Sequence, residues 1–398
     1  MLRILVIHQS AELYGSDRSL LELFAGLDRN RFSLVVCLPE HGPLEDALRA
    51  QGLEVHVMPL IKVSRSLFSP RGLFRLPGDV VRALRALGRV VQGRRIDLVY
   101  TNTLAVLAGA FWARLRGVPH VWHVREIILE PRAVSRFFQI MARSFSKRLI
   151  CNSEQTRLWI AAGRPDQAVT VWNGVAVLDE GVPTAASRIE ARRRLNLPLD
   201  LPLILMVGRI NAWKGQDLLM EAVDTLDPSG GLPFQMVFVG SAPPGRPEFT
   251  EHLNRRIAAS PHAARIQLRP FTEAITDYYR AADILVVPSR EPEPFGRVAI
   301  EGMACALPVV AARHGGLVEI VDNGTTGFLF PPNDATALAE ALRMLLQDAA
   351  LRQRLGEEGR ARQKALFSLE TYRDGVVSVF LEVTGQGAPL GKSLPERA

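Results

Sequence analysis

The stretch Ile284–Ala304 reads ILVVPSREPEPFGRVAIEGMA. Its first four residues, Ile284–Val287, are apolar without alternation, the pattern of a strand buried on both faces of a parallel sheet. Pro288, Pro292 and Pro294 follow as a proline-rich turn holding Glu293. Gly296 allows close backbone approach where a helix is expected to begin, and Glu301 lies about a turn and a half inside that helix. Strand, turn and helix recur outward in both directions. Strands are expected at Leu2–Ile7, Leu34–Leu38, Leu98–Tyr100, His120–Trp122, Leu149–Cys151, Leu203–Val207, Met236–Val239 and Pro308–Ala311. Helical spacing lies between them, over Ser19–Leu27, Val80–Val91, Asp217–Leu226 and Ala335–Leu346. This alternation in both halves predicts an α/β chain of two doubly wound domains.

A length of 398 residues fits two domains, since each usually holds roughly 100–200 residues. The boundary is expected near 178–203, where Gly181, Pro183, Pro198 and Pro202 surround a short basic helix, Ser187–Leu195. That divides the chain into residues 1–180 and 181–368, then a helix at about 369–384 and a glycine- and proline-rich tail, 385–398, expected to be flexible. The three cysteines, Cys37, Cys151 and Cys305, are odd in number and lack metal-binding spacing. They read as reduced thiols of a cytosolic protein. Met1–Ile7 reads as a first strand rather than a signal peptide. The longest apolar runs, such as Leu104–Trp112, fall short of the roughly 18 residues of a membrane helix.

In open α/β sheets ligands bind beyond the carboxyl ends of the strands, so the loops that follow strands hold the candidate chemistry. Helix-start amides after Gly296 are donors for anions and hydroxyls. Glu301 has the acceptor capacity for two vicinal hydroxyls, as a ribose presents them, and Glu293 is placed to meet a second polar ligand. After Leu203–Val207 comes Gly208-Arg209-Ile-Asn-Ala-Trp-Lys214-Gly215, which offers two cations to one anion. A departing diphosphate needs such neutralisation, from a bidentate Arg209 and a point charge on Lys214. Taken singly, these features also fit a solvated glutamate pair and two surface cations.

Together they resemble the retaining GT-B glycosyltransferases of family four (glycosyltransferase group 1), whose signature is a glutamate, seven residues and a second glutamate. Glu293 and Glu301 have that spacing, with Pro-Phe-Gly296 following the first and Gly-Met-Ala304 the second. The resemblance covers about residues 1–382, is strongest over 203–332 and weakest over 59–95. It implies GT-B architecture, two Rossmann-like domains facing across a cleft: 1–180 for the acceptor, with the last helix crossing back, and 181–368 for the donor. It implies catalytic parts for His123, Arg209, Lys214 and Glu293. It places the donor against Gly15, Ser16, Arg209, Lys214, Phe295, Gly296, Arg297, Val298 and Glu301. The donor would be a nucleotide-diphosphate sugar, UDP- or GDP-linked, as a substrate rather than a cofactor. Front-face substitution is implied, in which the leaving phosphate takes the acceptor proton. No obvious pair of carboxylates roughly 5 Å apart marks a retaining hydrolase. Metal-independent chemistry is expected, because no Asp-x-Asp occurs and His120-x-x-His123 has no evident third ligand.

In the first half, Ser16 of Tyr14-Gly15-Ser16-Asp17 is placed to cap the next helix. The family usually has two glycines here, and Tyr14 replaces the first. His123, following His120–Trp122, would meet a hydroxyl of the donor sugar by resemblance; a lone histidine is otherwise structural. Arg125 and Glu126 line the acceptor side or form a surface ion pair. Gly315 and Gly316 offer flexible backbone to the donor.

The net charge is +7. Nine Lys/Arg face one acid, Asp79, between Lys62 and Arg95, and five face none between Pro131 and Arg148. Val80, Leu84, Leu87 and Val91 form one stripe of a helix and Arg82, Arg85 and Arg89 another, with Leu67-Phe68, Leu73-Phe74 and Leu76 before them. Such a segment is a solvated surface helix or a docking face for an anionic membrane. The second reading makes the chain a cytoplasmic enzyme peripheral to the inner membrane face. Its acceptor would be a glycan, a lipid-linked sugar or a small molecule in cell-surface polysaccharide or glycoconjugate synthesis. No recognition motif supports nucleic acid. No GxGxxG follows Leu2–Ile7 or Leu203–Val207, which argues against a dinucleotide enzyme. Gly387–Ser393 is one residue short of a P-loop and has no strand before it. The alternatives are a GT-B epimerase or phosphorylase, and a nucleotide-binding module without turnover.

Overall fold

The structure, a computed structural model, describes residues 1–63, 70–176, 183–226 and 232–388, with residues 70–73 described by backbone only. The chain divides into two compact units: Met1–Gly174 with Leu369–Ala398, and Val175–Ser368. The first unit ends at Gly174, whereas composition placed the boundary at 180. Residues 177–182 and 389–398, with most of the expected tail, lie outside the described residues.

The first unit runs β1 (Leu2–His8), α1 (Gly15–Ala25), β2 (Phe32–Leu38), α2 (Pro43–Ala50), β3 (Glu54–Val57), α3 (Pro70–Val91), β4 (Leu98–Asn102), α4 (Ala108–Arg116), β5 (His120–Val124), α5 (Arg132–Phe145), β6 (Arg148–Cys151), α6 (Glu154–Ile160) and β7 (Ala168–Thr170). The terminal helix Leu369–Val383 belongs to the same unit. The strands form one parallel sheet in the order β3-β2-β1-β4-β5-β6-β7. Apolar residues on one face pack against α1, α2 and the terminal helix, where Leu20, Leu44, Tyr372 and Phe380 are buried. The other face is covered by α3, α4 and α5, through Leu87, Trp112 and Phe138.

The second unit contains α7 (Ala185–Arg194), β8 (Leu203–Val207), α8 (Gln216–Leu226), β9 (Gln235–Val239), α9 (Glu248–Ala258), β10 (Ile266–Arg269), α10 (Ile275–Ala281), β11 (Ile284–Val287), α11 (Arg297–Ala304), β12 (Val309–Ala312), α12 (Leu317–Ile320), β13 (Gly327–Phe330), α13 (Ala335–Gln347) and α14 (Ala349–Leu366). Its sheet order is β10-β9-β8-β11-β12-β13. The basic helix α7 is pinned to this unit. Arg192 Nη2 meets Asp283 Oδ2 at 2.5 Å, and the same oxygen accepts the Leu203 amide at 2.8 Å, at the start of β8.

Each sheet reverses its strand order beside its first strand, between β1 and β4 and between β8 and β11. These are the switch points where open sheets bind ligands. The four strands that hydropathy left unassigned are β3, β7, β10 and β13, and these are the four sheet edges. β3 carries Glu54 and His56 and β10 carries Gln267 and Arg269, so both lack the continuous apolar run of a central strand, and β7 and β13 span only three and four residues.

Two helices start four or more residues earlier than expected. α3 begins at Pro70 and carries Pro77 inside it. α1 begins at Gly15 because the Asp17 carboxylate accepts the Tyr14 amide at 3.1 Å. Ser16 therefore lies within the first turn and does not cap it.

Cys37, Cys151 and Cys305 are free and buried. Burial pushes the Cys37 and Cys305 thiols up to about 12 and raises Cys151 as well. The thiolate is the reactive form. An aryl disulfide reagent at pH 8 is therefore expected to titrate no thiol of the native chain within minutes and all three after unfolding in urea. Rapid reaction of even one native thiol would contradict this burial.

Candidate functional site

In the second unit the loops after β8, β11 and β12 meet through their backbones. A Cβ on Gly215, at φ +83°, would lie 2.0 Å from the Pro288 carbonyl oxygen. A Cβ on Gly315, at φ +57°, would lie 2.2 Å from the Glu293 carbonyl oxygen, and one on Gly316 would lie 2.5 Å from Phe295 Cα. The Gly316 amide donates to the Glu293 carbonyl at 2.8 Å. The glycine pair is thus the bed on which Glu293-Pro-Phe rests, and any side chain there would lift it.

Glu293 is 5% exposed. Its Oε1 accepts Lys214 Nζ at 2.5 Å and Ser289 Oγ at 2.5 Å. Lys214 also stands over the Trp213 ring, 4.2 Å from its centroid, and its amide donates to Asn211 Oδ1 at 3.0 Å. Separate ligands were expected for these two groups; the fold joins them as one ion pair. Arg209 follows Gly208 at the end of β8, and its carbonyl accepts Gln216 Nε2 at 2.8 Å.

Glu301 is held from two sides. Arg297 Nε donates to Oε1 and the Tyr279 hydroxyl to Oε2, both at 2.7 Å. Each oxygen keeps a second acceptor direction. Burial, then the Glu301 charge, raises the Tyr279 phenol well above its ordinary value, so it remains a donor. Gly296 is the N-cap of α11 at φ +111°, which puts Arg297 and Val298 in the helix's first turn. Phe295 was expected against the donor. Its side chain is instead buried, edge-on to Phe367 with ring centroids 6.0 Å apart, so only its backbone is placed for a ligand.

In the first unit a polar cluster lies at the carboxyl ends of β1, β4 and β5. His8 Nε2 meets Asp17 Oδ1 at 2.7 Å, and Ser16 Oγ donates to the same oxygen at 3.2 Å. Gly15 opens α1 beside this pair. His123 lies inside β5 rather than after it, in register with Asn102 and Ile150, and its side chain is fully enclosed. Its Nδ1 is 2.6 Å from the Tyr100 hydroxyl, and its Nε2 has no partner among the described residues. Burial, then the neighbouring Arg125 charge, holds this imidazole well below its ordinary pKa, in the neutral form.

Arg125 and Glu126 are not an ion pair with each other. The buried Arg125 guanidinium donates to Asn102 Oδ1 at 2.7 Å, Asn173 Oδ1 at 2.6 Å, Ser19 Oγ at 3.3 Å and the Tyr372 hydroxyl at 2.6 Å. It ties two strands, α1 and the terminal helix together. Glu126 Oε2 instead accepts the backbone amides of Leu104 at 3.1 Å and Arg125 at 3.0 Å.

Sequence reading passed over Ser289, Tyr279, Tyr100, Asn102, Thr103 and Tyr372. Two local signals were available: Asn102 and Thr103 follow one expected strand, and Ser289 follows another, four residues before the Glu293 that it meets. Tyr100, Tyr279 and Tyr372 meet His123, Glu301 and Arg125, which lie 23, 22 and 247 residues away, and no local pattern reveals those pairs. Among the described residues no group of three or more His, Cys, Asp or Glu side chains is placed to hold a metal ion.

A family model described as glycosyl transferases group 1 matches residues 187–362, and one described as glycosyl transferase 4-like domain matches residues 15–174. A D-inositol 3-phosphate glycosyltransferase of Catenulispora acidiphila is 32% identical over 299 residues, 70% of this chain and 67% of that protein. The chain belongs to the group 1 glycosyl transferase family.

A protein of the same name from Xylanimonas cellulosilytica is 36% identical over 202 residues, so this match spans 50% of the chain but only 47% of the relative's length. Among solved structures, Anabaena HepE in complex with UDP superposes with a TM-score of 0.81 at 24% identity, covering 96% of this chain and all 100% of that one. The same protein has been crystallised with UDP-glucose. A sucrose-phosphate synthase from Thermosynechococcus elongatus gives a TM-score of 0.76 at 24% identity, over 97% of this chain and 100% of its own. These likenesses show the fold, the α/β two-domain class of GT-B glycosyltransferases expected from the sequence.

Proposed function

We propose that this chain transfers a sugar, with retention of configuration, from a UDP- or GDP-linked nucleotide-diphosphate sugar to a hydroxyl-bearing acceptor. The carrying observation is the Lys214–Glu293 pair at the switch point of the second sheet, with Lys214 packed against Gly208, which precedes Arg209, and Glu293 resting on the Gly315–Gly316 bed. Family membership and the named activities of the relatives support the reaction class. UDP and UDP-glucose in the HepE structures support the donor class.

In this reading Arg209 and Lys214 neutralise the charge that grows on the departing diphosphate, without calling on a metal ion. Glu293 fixes the position of the lysine ammonium. Glu301, oriented by Arg297 and Tyr279, accepts the ribose hydroxyls. The first turn of α11 presents its amides to the donor. The enclosure of His123 makes its part indirect, as support for the polar cluster beneath the first unit's strand ends. The leaving phosphate takes the acceptor proton, and the protein supplies position and charge. A thermal-shift screen with UDP, GDP, ADP and their sugar conjugates tests the donor class. Stabilisation by none of them would remove the reading, and binding without turnover would favour a nucleotide-binding module.

The acceptor is assigned to the glycan or lipid-linked class, in cell-surface polysaccharide or glycoconjugate synthesis at the inner face of the membrane. α3 supports this. Phe74 is 86% exposed and Val81 44%, while Ala83 and Leu87 bury the opposite side. Arg82, Arg85 and Arg89 line a shallow surface pocket with Pro77, Gly78 and Val81. Leu67 and Phe68 lie outside the described residues, and of Leu73 only the backbone is described. No helix among the described residues is long and apolar enough to cross a membrane. The chain is expected to pellet with phosphatidylglycerol vesicles at low salt and to be released at high salt. The triple variant Arg82→Glu, Arg85→Glu, Arg89→Glu is expected to stay in solution. A wild-type chain that remains in the supernatant would end the membrane assignment.

A further inference from the structure

Trp213 immediately precedes Lys214, and neighbouring side chains of an extended segment point to opposite sides. For the ring to meet the ammonium the chain must turn, and the turn is built in. The Lys214 amide donates to Asn211 Oδ1 at 3.0 Å, so a local asparagine side chain holds the bend. Gly215 follows at φ +83°. The Trp213 carbonyl accepts the Arg290 amide at 2.7 Å, which ties the bend to the loop that carries Ser289 and Glu293. One backbone frame thus sets the ring and the Glu293 carboxylate against the same ammonium.

Lys214 Nζ lies 4.2 Å from the Trp213 ring centroid, inside the roughly 6 Å within which an aromatic face attracts a cation, and indole offers the strongest such face. Trp213 is half-buried and the Lys214 side chain is 18% exposed, so solvent screens the contact little. The two partners of the ammonium differ in kind. Glu293 fixes it but offsets its charge, the charge that a departing diphosphate calls on. A second carboxylate would fix it further and leave no positive charge to offer. A neutral ring face fixes it and subtracts nothing. The ammonium has three N–H donors on a flexible stem. Glu293 Oε1 takes one, the ring covers another side of the cation, and no further acceptor meets Nζ among the described residues.

We propose that Trp213 is a positioning residue of sugar transfer: its ring face holds the Lys214 ammonium in place without neutralising it and so aims the remaining N–H donor at the diphosphate. The proposal rests on the glycosyl-transfer reading above and adds to it the group that fixes the lysine without offsetting its charge.

The test replaces Trp213 alone, of the five tryptophans in the chain, with mono-, di- and trifluorotryptophan. Each fluorine weakens the hold of the ring face on a cation, while the ring keeps its shape. A packing role would therefore leave turnover unchanged along the series. Release of UDP from UDP-glucose, or of the nucleotide from another sugar conjugate of the thermal-shift screen, is measured with water in the acceptor's place. Its kcat is expected to fall stepwise, by about 3- to 30-fold at the third fluorine. KM is expected to stay within about twofold, because the lysine acts on charge that grows only in the transition state. Trp213→Phe is expected to lie between wild type and Trp213→Leu. The contact has a readout of its own: the fluorine NMR signal of the monofluoro chain is expected to shift on Lys214→Met, with or without a donor. A signal that moves while turnover stays flat along the series would overturn the positioning role alone. A signal indifferent to Lys214→Met would overturn the contact. Failure of the wild type to turn over any sugar nucleotide would overturn the transfer reading, and this role with it.

Discussion

Replacing Lys214 with alanine is expected to lower sugar transfer by about 10²- to 10³-fold, the size of effect seen when a preorganised electrostatic stabiliser is removed. Lys214 Nζ lies 2.5 Å from Glu293 Oε1, and both side chains are largely buried. The ammonium is fixed before any diphosphate arrives, so little reorganisation is needed as charge develops. The same burial raises a competing explanation. Removing one partner of a buried pair leaves an uncompensated charge, which can destabilise a fold by about 3–5 kcal/mol. Ser289 Oγ still donates to Glu293 in the variant, which limits that penalty. The two causes separate in a cycle of Lys214→Ala, Glu293→Gln and the double variant, each measured for nucleotide release and for urea midpoint. If Glu293 acts by positioning the lysine, the double variant is expected to be little slower than Lys214→Ala alone. Full activity in Lys214→Ala would remove the site assignment. A folded fraction that falls in step with activity would make the pair structural.

Replacing Glu301 with alanine is expected to weaken nucleoside diphosphate binding by about 10- to 100-fold, since hydrogen bonds to a charged group are worth roughly 1.5–3 kcal/mol. Titration of UDP and GDP into wild type and variant measures this. Tyr279→Phe is the control, because it removes the donor to Oε2 but leaves the carboxylate, still held by Arg297 Nε. Its effect is expected to stay below tenfold. A 2′,3′-dideoxynucleoside diphosphate sharpens the test: it should bind wild type and Glu301→Ala equally weakly. Discrimination that persists with that ligand would mean Glu301 acts on something other than the ribose.

The central strands were legible because a strand covered on both faces must be apolar along its length. Ile284–Val287 and Leu203–Val207 were located to the residue. The edge strand Glu54–Val57 was not, because glutamate and histidine alternate there with valine on a half-open edge. The terminal helix Leu369–Val383 was found from its pattern, and its return to the first unit was implied by the resemblance, but the contact that holds it there was not. Tyr372 reaches Arg125, 247 residues away in sequence. Ser16 was assigned a cap that Asp17 supplies, because either side chain fits the pattern and only the loop geometry after β1 chooses between them.

Residue order alone determined the α/β class, the central strands of both sheets and the candidate donor glutamates. Each follows from short-range periodicity or spacing, which is a property of neighbours in the chain. Tertiary structure alone decided that Lys214 answers Glu293 across 79 residues, and that Glu301 is braced by Tyr279. It also decided that His123 is enclosed and that Glu126 is held by the Leu104 and Arg125 amides. Those outcomes depend on which strand ends become adjacent when a sheet reverses its order. That adjacency follows from burying both faces of the whole sheet at once, so no local stretch of sequence contains it.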